Sequence, residues 1–203
     1  MAGTGNIHKL IGFFSEFTVL PIDPDEVRDT IVSYGIKDEI EFVGVDVDDR
    51  VLYGAYRQYV KSDGLYADPV VHVDVYYNRS LGRDWKRLVC CKELLHMLDR
   101  TPSKTATKND CENLVTHLAG LNLDGDPPFS NEKLQAWNDE LMLYYAVAVL
   151  FPWEAREILY QDYCEDNARI TEIVKVCDLP VSVVRLVLSD RWPRLYHLLA
   201  GSN

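Results

Sequence analysis

Apolar positions change period twice along the chain, from helical spacing to strand alternation and back again. Residues Ile7 to Phe17 and Pro24 to Tyr34 both have helical spacing. Asp23, Pro24, Asp25 and Glu26 read as an N-cap, a Pro at N1 and an acidic first turn, and Gly35 as the stop. Three β-rich runs follow, Glu41 to Val47, Val51 to Val60 and Pro69 to Tyr77, with turns at Asp48-Asp49 and at Lys61-Ser62-Asp63-Gly64. In the last run Val71, Val73 and Val75 share one face while His72, Asp74 and Tyr76 share the other. That alternation predicts a sheet covered on one side, with His72 on the less apolar face.

Helical spacing then resumes. Arg87 to Arg100 carries one apolar stripe at Leu88, Val89, Leu95 and Leu98, and Thr101-Pro102 ends it near Asp99 because a residue before Pro disfavours helix. A polar loop leads to a predicted helix over Asp110 to Leu121, and the Gly and Pro residues of Asn122 to Ser130 predict another loop. Ser130 caps the next helix, which runs to Pro152 and is apolar on every face from Leu141 to Phe151. Such a helix must pass through the middle of the fold. Short helices are predicted over Trp153 to Tyr163, Ala168 to Val176, Pro180 to Leu188 and Trp192 to Leu199.

The turn Cys177-Asp178-Leu179 between two of these gives a helix-turn-helix outline. Packing of Ile170, Ile173, Val174, Val184 and Val187 against one another explains the pair without DNA, and only Arg185, Arg191 and Arg194 would offer cations. These elements predict an α+β fold, a small and mainly antiparallel three-stranded sheet on helices. The expected division is a main unit over residues 1 to 165 and a helical tail over 166 to 203, packed as one.

Composition narrows the function classes. The chain has 203 residues, 47% of them hydrophobic and 26% charged, which is ordinary for a globular domain and argues against disorder. A formal net charge of −11 repels polyanions, and basic residues are not gathered anywhere, so direct nucleic-acid binding is not expected. The acidic charge favours a basic protein partner, such as a DNA-binding regulator. Five Cys, two of them adjacent, do not form a disulfide framework, and a reducing cytoplasm fits best. The amino terminus lacks a signal-peptide pattern and no run approaches the ~18 apolar residues that span a bilayer, so no membrane association is expected.

The candidate chemistry centres on Lys92-Glu93-Leu94-Leu95-His96. In His-Glu-x-x-His the i,i+4 spacing sets two imidazoles on one metal and leaves the Glu to activate water. Here the Glu and the second His are present, and Lys stands in the first His position. Other candidates carry less. Cys90 and Cys91 diverge by about 100° on a helix, so with His96 and His117 they make a poor zinc site. Cys111 beside His117 reads as a core cysteine before a nucleophile, and Asp124-Gly125-Asp126 lacks the rest of a calcium loop. Trp85, Trp137, Tyr144, Tyr145 and Trp153 read as packing, and no Gly-rich phosphate loop is present.

Three features in this order resemble the ImmA/IrrE family of zinc peptidases, intracellular bacterial and phage proteins whose known members cleave helix-turn-helix repressors. A strand ending in Asn78 leads through Arg83 and Arg87 into KELLH, where that family carries HELxH. Asp139-Glu140 and then Tyr145 to Pro152 look like the family's acidic residue followed by FA-x-x-LLMP. Ile173, Cys177, Leu179-Pro180 and Val184 are similar to its helical tail. The resemblance spans roughly residues 37 to 190 and implies a zincin-like fold. It matches Glu93 to the general base, His96 to a metal ligand, and Asp139 or Glu140 to the acidic third ligand. Lys92 departs from the pattern, because an ammonium has three donors and no lone pair for a metal. The implied function is a non-catalytic, protein-binding regulator with no cofactor, its pseudo-site formed by Lys92, Glu93, His96, Asp139 and Glu140. The alternative is an active zinc-dependent endopeptidase that cleaves a repressor, with Glu93 as base and with His72, His117 or a partner completing the metal shell.

Overall fold

The structure is a computed structural model that describes residues 4–47, 53–62, 69–98 and 131–201, except for the side chains of residues 4–5 and 131–140. Two short helices open the chain. In α1 (Thr4–Ser15), Ile7, Leu10, Ile11 and Phe14 form one face and are almost completely buried. A 12-residue helix is marginal in isolation, so this face stabilises it, at ~1.5–3 kcal/mol per buried side chain. In α2 (Pro24–Ser33), Asp23 accepts a hydrogen bond from Asp25 N at 2.9 Å and Pro24 begins the helix. Gly35, at φ +89°, stops it where a Cβ would be strained.

Three strands follow, β1 (Glu39–Val45), β2 (Gly54–Lys61) and β3 (Val70–Asn78). Their spatial order is β1-β3-β2, with β1 parallel and β2 antiparallel to β3. The sheet is therefore mixed, which corrects the expectation of a mainly antiparallel one. β3 alone has fully buried valines on its inner face, Val73 and Val75, so it takes the doubly flanked centre. The more polar β1 and β2 take the edges, where charged side chains reach water. Asn78 closes the strand end: Nδ2 donates to Val47 O at 2.7 Å and Oδ1 accepts from Ser80 N at 2.9 Å.

The helix α3 (Arg83–Leu95) packs on the inner face of β2 and β3 and continues as a 3-10 turn, His96–Leu98. The helix α4 (Asn131–Leu150) crosses α3, and from Met142 to Leu150 every residue is buried, as its unbroken apolar run requires. Next come α5 (Trp153–Cys164), α6 (Ile170–Cys177), α7 (Val181–Val187) and α8 (Trp192–Leu199). Ile173, Leu179, Val184, Val187 and Trp192 of this tail join the same continuous core as α1, α3 and α4. Helix α7 buries Val183, Val184, Leu186 and Val187 and exposes only Val181 and Arg185 fully. Among the described residues no helix is long and apolar enough to cross a membrane. The helix expected over 110–121 and the loops on either side of it lie outside the described residues.

Candidate functional site

The KELLH segment lies in the last turn of α3, where the helix runs against the start of β2. Lys92 is 1% exposed, Glu93 2% and His96 0%, so none of the three belongs to a solvated helix face. Lys92 Nζ lies 3.1 Å from Glu93 Oε1 in a buried ion pair. His96 is the C-cap of α3, still right-handed at φ −61° and ψ −23°, and its ring stacks on Tyr56 of β2 with centroids 6.3 Å apart and planes 22° apart. Gly54 makes the approach possible. A Cβ there would collide with Val89 Cγ1 and stand 3.2 Å from Glu93 Cγ.

The amino-terminal half of α3 is held by a different set of contacts. Arg87, 6% exposed, donates Nη1 to Cys177 O at 2.9 Å and to Asp178 O at 2.7 Å, and Nη2 to Ile22 O. Its Nη1 lies 3.4 Å from Asp178 Oδ2, and Arg83 Nε pairs with the same oxygen at 2.8 Å. Burial draws the Arg87 guanidinium below its ordinary value, and the Asp178 carboxylate opposes that shift. Asp178 sits in the left-handed region at φ 50°, ψ 50°, as the cap of α6. The guanidinium thus satisfies carbonyls left open at a helix end and ties α3 to the tail.

Of the other predicted residues, His72 lies on the opposite face of the sheet. It stacks on Tyr59, and its Nδ1 is 3.4 Å from Glu39 Oε2, so β3 separates it from His96. It cannot complete a shell with His96 in this fold. The side chains of Asp139 and Glu140, although α4 packs on α3, lie outside the described residues, as do Cys111, His117 and Asp124 to Asp126. Cys90 and Cys91 are buried; burial is the main cause that pushes the Cys90 thiol up to about 12 and the Cys91 thiol higher still. Neither is a nucleophile in that state.

The donor set among the described residues does not fit zinc. Lys92, paired with Glu93, offers an ammonium rather than a lone pair, and no three His, Cys, Asp or Glu side chains among the described residues are placed to share a metal. What the arrangement supplies is a buried carboxylate paired with an ammonium, one turn from the stacked rings of His96 and Tyr56. Sequence reasoning did not single out Gly54, Tyr56 or Asp178. The only signal for the first was a glycine inside the Val51 to Val60 run, which marks close backbone approach.

The chain matches no protein-family model and, by sequence, no curated protein. The site therefore has to be read from its own chemistry.

Proposed function

We propose that this chain is a non-catalytic, protein-binding regulator built on a zincin-like fold of ImmA/IrrE type, in which Lys92 stands in place of the metal. The observation that carries the reading is the buried Lys92–Glu93 ion pair at 3.1 Å, one turn from a fully buried His96. A carboxylate taken out of water needs a nearby cation or strong hydrogen bonds. In a zinc peptidase the metal meets part of that need; here an ammonium does. With Lys92 at the first ligand position, the remaining ligands implied by the resemblance, His96 and Asp139 or Glu140, hold a divalent ion weakly and leave Glu93 without a metal-bound water to activate. The net charge of −11 supports a basic partner, such as a DNA-binding regulator, held without cleavage.

Metal content tests the reading. Zinc, manganese and iron per chain are measured after purification without chelator, for the natural protein and for Lys92→His. The expected result is a metal-free natural protein and a variant that gains close to one zinc. Stoichiometric zinc in the natural protein overturns the proposal in favour of an active endopeptidase with Glu93 as base. A folded variant that remains metal-free overturns the zincin assignment itself.

A further inference from the structure

The sheet has a second face that α3 does not cover. Strand register places Glu39 and Glu41 of β1, His72, Asp74 and Tyr76 of β3, and Arg57, Tyr59 and Lys61 of β2 together on it. Among the described elements only α3 packs extensively on the sheet, and it does so against Val73, Val75, Gly54 and Tyr56 on the other side. Glu39, Glu41, Arg57 and Lys61 are exposed, and the other four are half-buried.

The face has an organised chemistry. Asp74 is its hub: it accepts from Tyr76 Oη at 2.7 Å and from Tyr59 Oη at 3.4 Å. The hydrogen bond to Asp74 is the chief cause that raises the Tyr76 phenol above its ordinary value, so that ring stays neutral at physiological pH. The Arg57 guanidinium lies 5.0 Å from the centre of the Tyr59 ring, opposite Asp74 in the strand register. One arginine of the chain is thus already seated in the way a foreign one would be, on a ring and facing a carboxylate. Across β3 the carboxylates recur: among the described residues Glu39 pairs with the His72 imidazole at 3.4 Å and Glu41 makes no ion pair.

We infer that this outer sheet face is the docking surface for an arginine-rich segment of a partner protein, laid across β1 and β3. The inference rests on the reading of the chain as a binding module and deepens it by naming the surface and the partner's chemistry. Three carboxylates, Glu39, Glu41 and Asp74, outnumber the two cations Arg57 and Lys61 on this face and disfavour a nucleic-acid backbone, although tyrosines on a sheet would otherwise suit bases. Arginine is preferred to lysine because its planar fork can hold a carboxylate in two hydrogen bonds while lying flat on a ring.

The test is titration of the protein with a fluorescent decapeptide of alternating Arg and Thr, with its Lys and Glu counterparts as comparisons. The Arg peptide should bind at least about threefold more tightly than the Lys peptide, and the Glu peptide should not bind. Glu39→Gln with Glu41→Gln should weaken the Arg peptide at least tenfold. Glu16→Gln with Glu26→Gln, the same charge change at exposed positions elsewhere, should alter it less than twofold. Equal weakening by the two pairs, equal affinity for Arg and Lys, no binding of the Arg peptide, or preferential binding of a single-stranded oligonucleotide each overturns the inference. The metal assay on Lys92→His reads the module hypothesis separately, so a failure of the face is distinguishable from a failure of the fold reading.

Discussion

A lysine that is 1% exposed is tolerated only because its charge is used, and here Glu93 at 3.1 Å uses it. Buried ion pairs contribute little net stability over an apolar pair, yet removing one member strands the other, at ~3–5 kcal/mol. Lys92→Met should therefore lower unfolding free energy by about that amount in urea denaturation, while Lys92→Met with Glu93→Leu should recover most of the loss. Additive losses in the two substitutions would show that the pair is not coupled. Gly54 belongs to the same scale: the missing side chain lets α3 and β2 meet, and it explains why an otherwise β-poor residue begins a strand.

The two halves of α3 do different work. Its last turn presents Lys92 and Glu93, whereas Arg83 and Arg87 grip the cap of α6 and the segment before α2. Buried, charge-assisted hydrogen bonds contribute more than exposed pairs, which fixes an order among substitutions. Arg87→Met should cost at least ~3 kcal/mol because it leaves the carbonyls of Cys177, Asp178 and Ile22 without their donor. Asp178→Asn, which keeps tolerance of the left-handed conformation, should cost about 1 kcal/mol. Arg83→Met, at a side chain 77% exposed, should fall within ~0.5 kcal/mol. Thermal or urea unfolding of the three variants checks the ranking, and a larger loss at Arg83 than at Arg87 would contradict it.

At the scale of the molecule, one core joins the first helix, the sheet, the α3–α4 crossing and the tail, and three of the thiols are buried in it. Desolvation pushes Cys90 and Cys177 up to about 12, so the fold favours their neutral form. Because the folded values lie above the unfolded value of ~8.5, their contribution is complete below that pH and is lost as pH rises towards about 12. The melting temperature should accordingly fall steadily between pH 8.5 and 11, and less steeply in Cys90→Ala. With Cys111 replaced by Ser, a thiol reagent at neutral pH should titrate Cys164 alone in the native protein and all four remaining cysteines in denaturant. Rapid native reaction of a second thiol would contradict this burial.

Sequence by itself determined the elements and much of their burial. Period and caps located α1, α2, α3 and the four helices after Pro152, because each has a local cause such as the Asp23 cap, the Gly35 stop or the all-round apolar run of α4. It also marked Lys92, Glu93 and His96 as the unusual residues, since their i,i+4 spacing is a local property. What only the tertiary structure decided is long-range. The mixed order β1-β3-β2, the stacking of Tyr56 on His96 and the grip of Arg87 on Asp178 join residues 9 to 91 positions apart. No periodicity within one segment encodes such pairings, because they depend on which surfaces meet when the whole core closes.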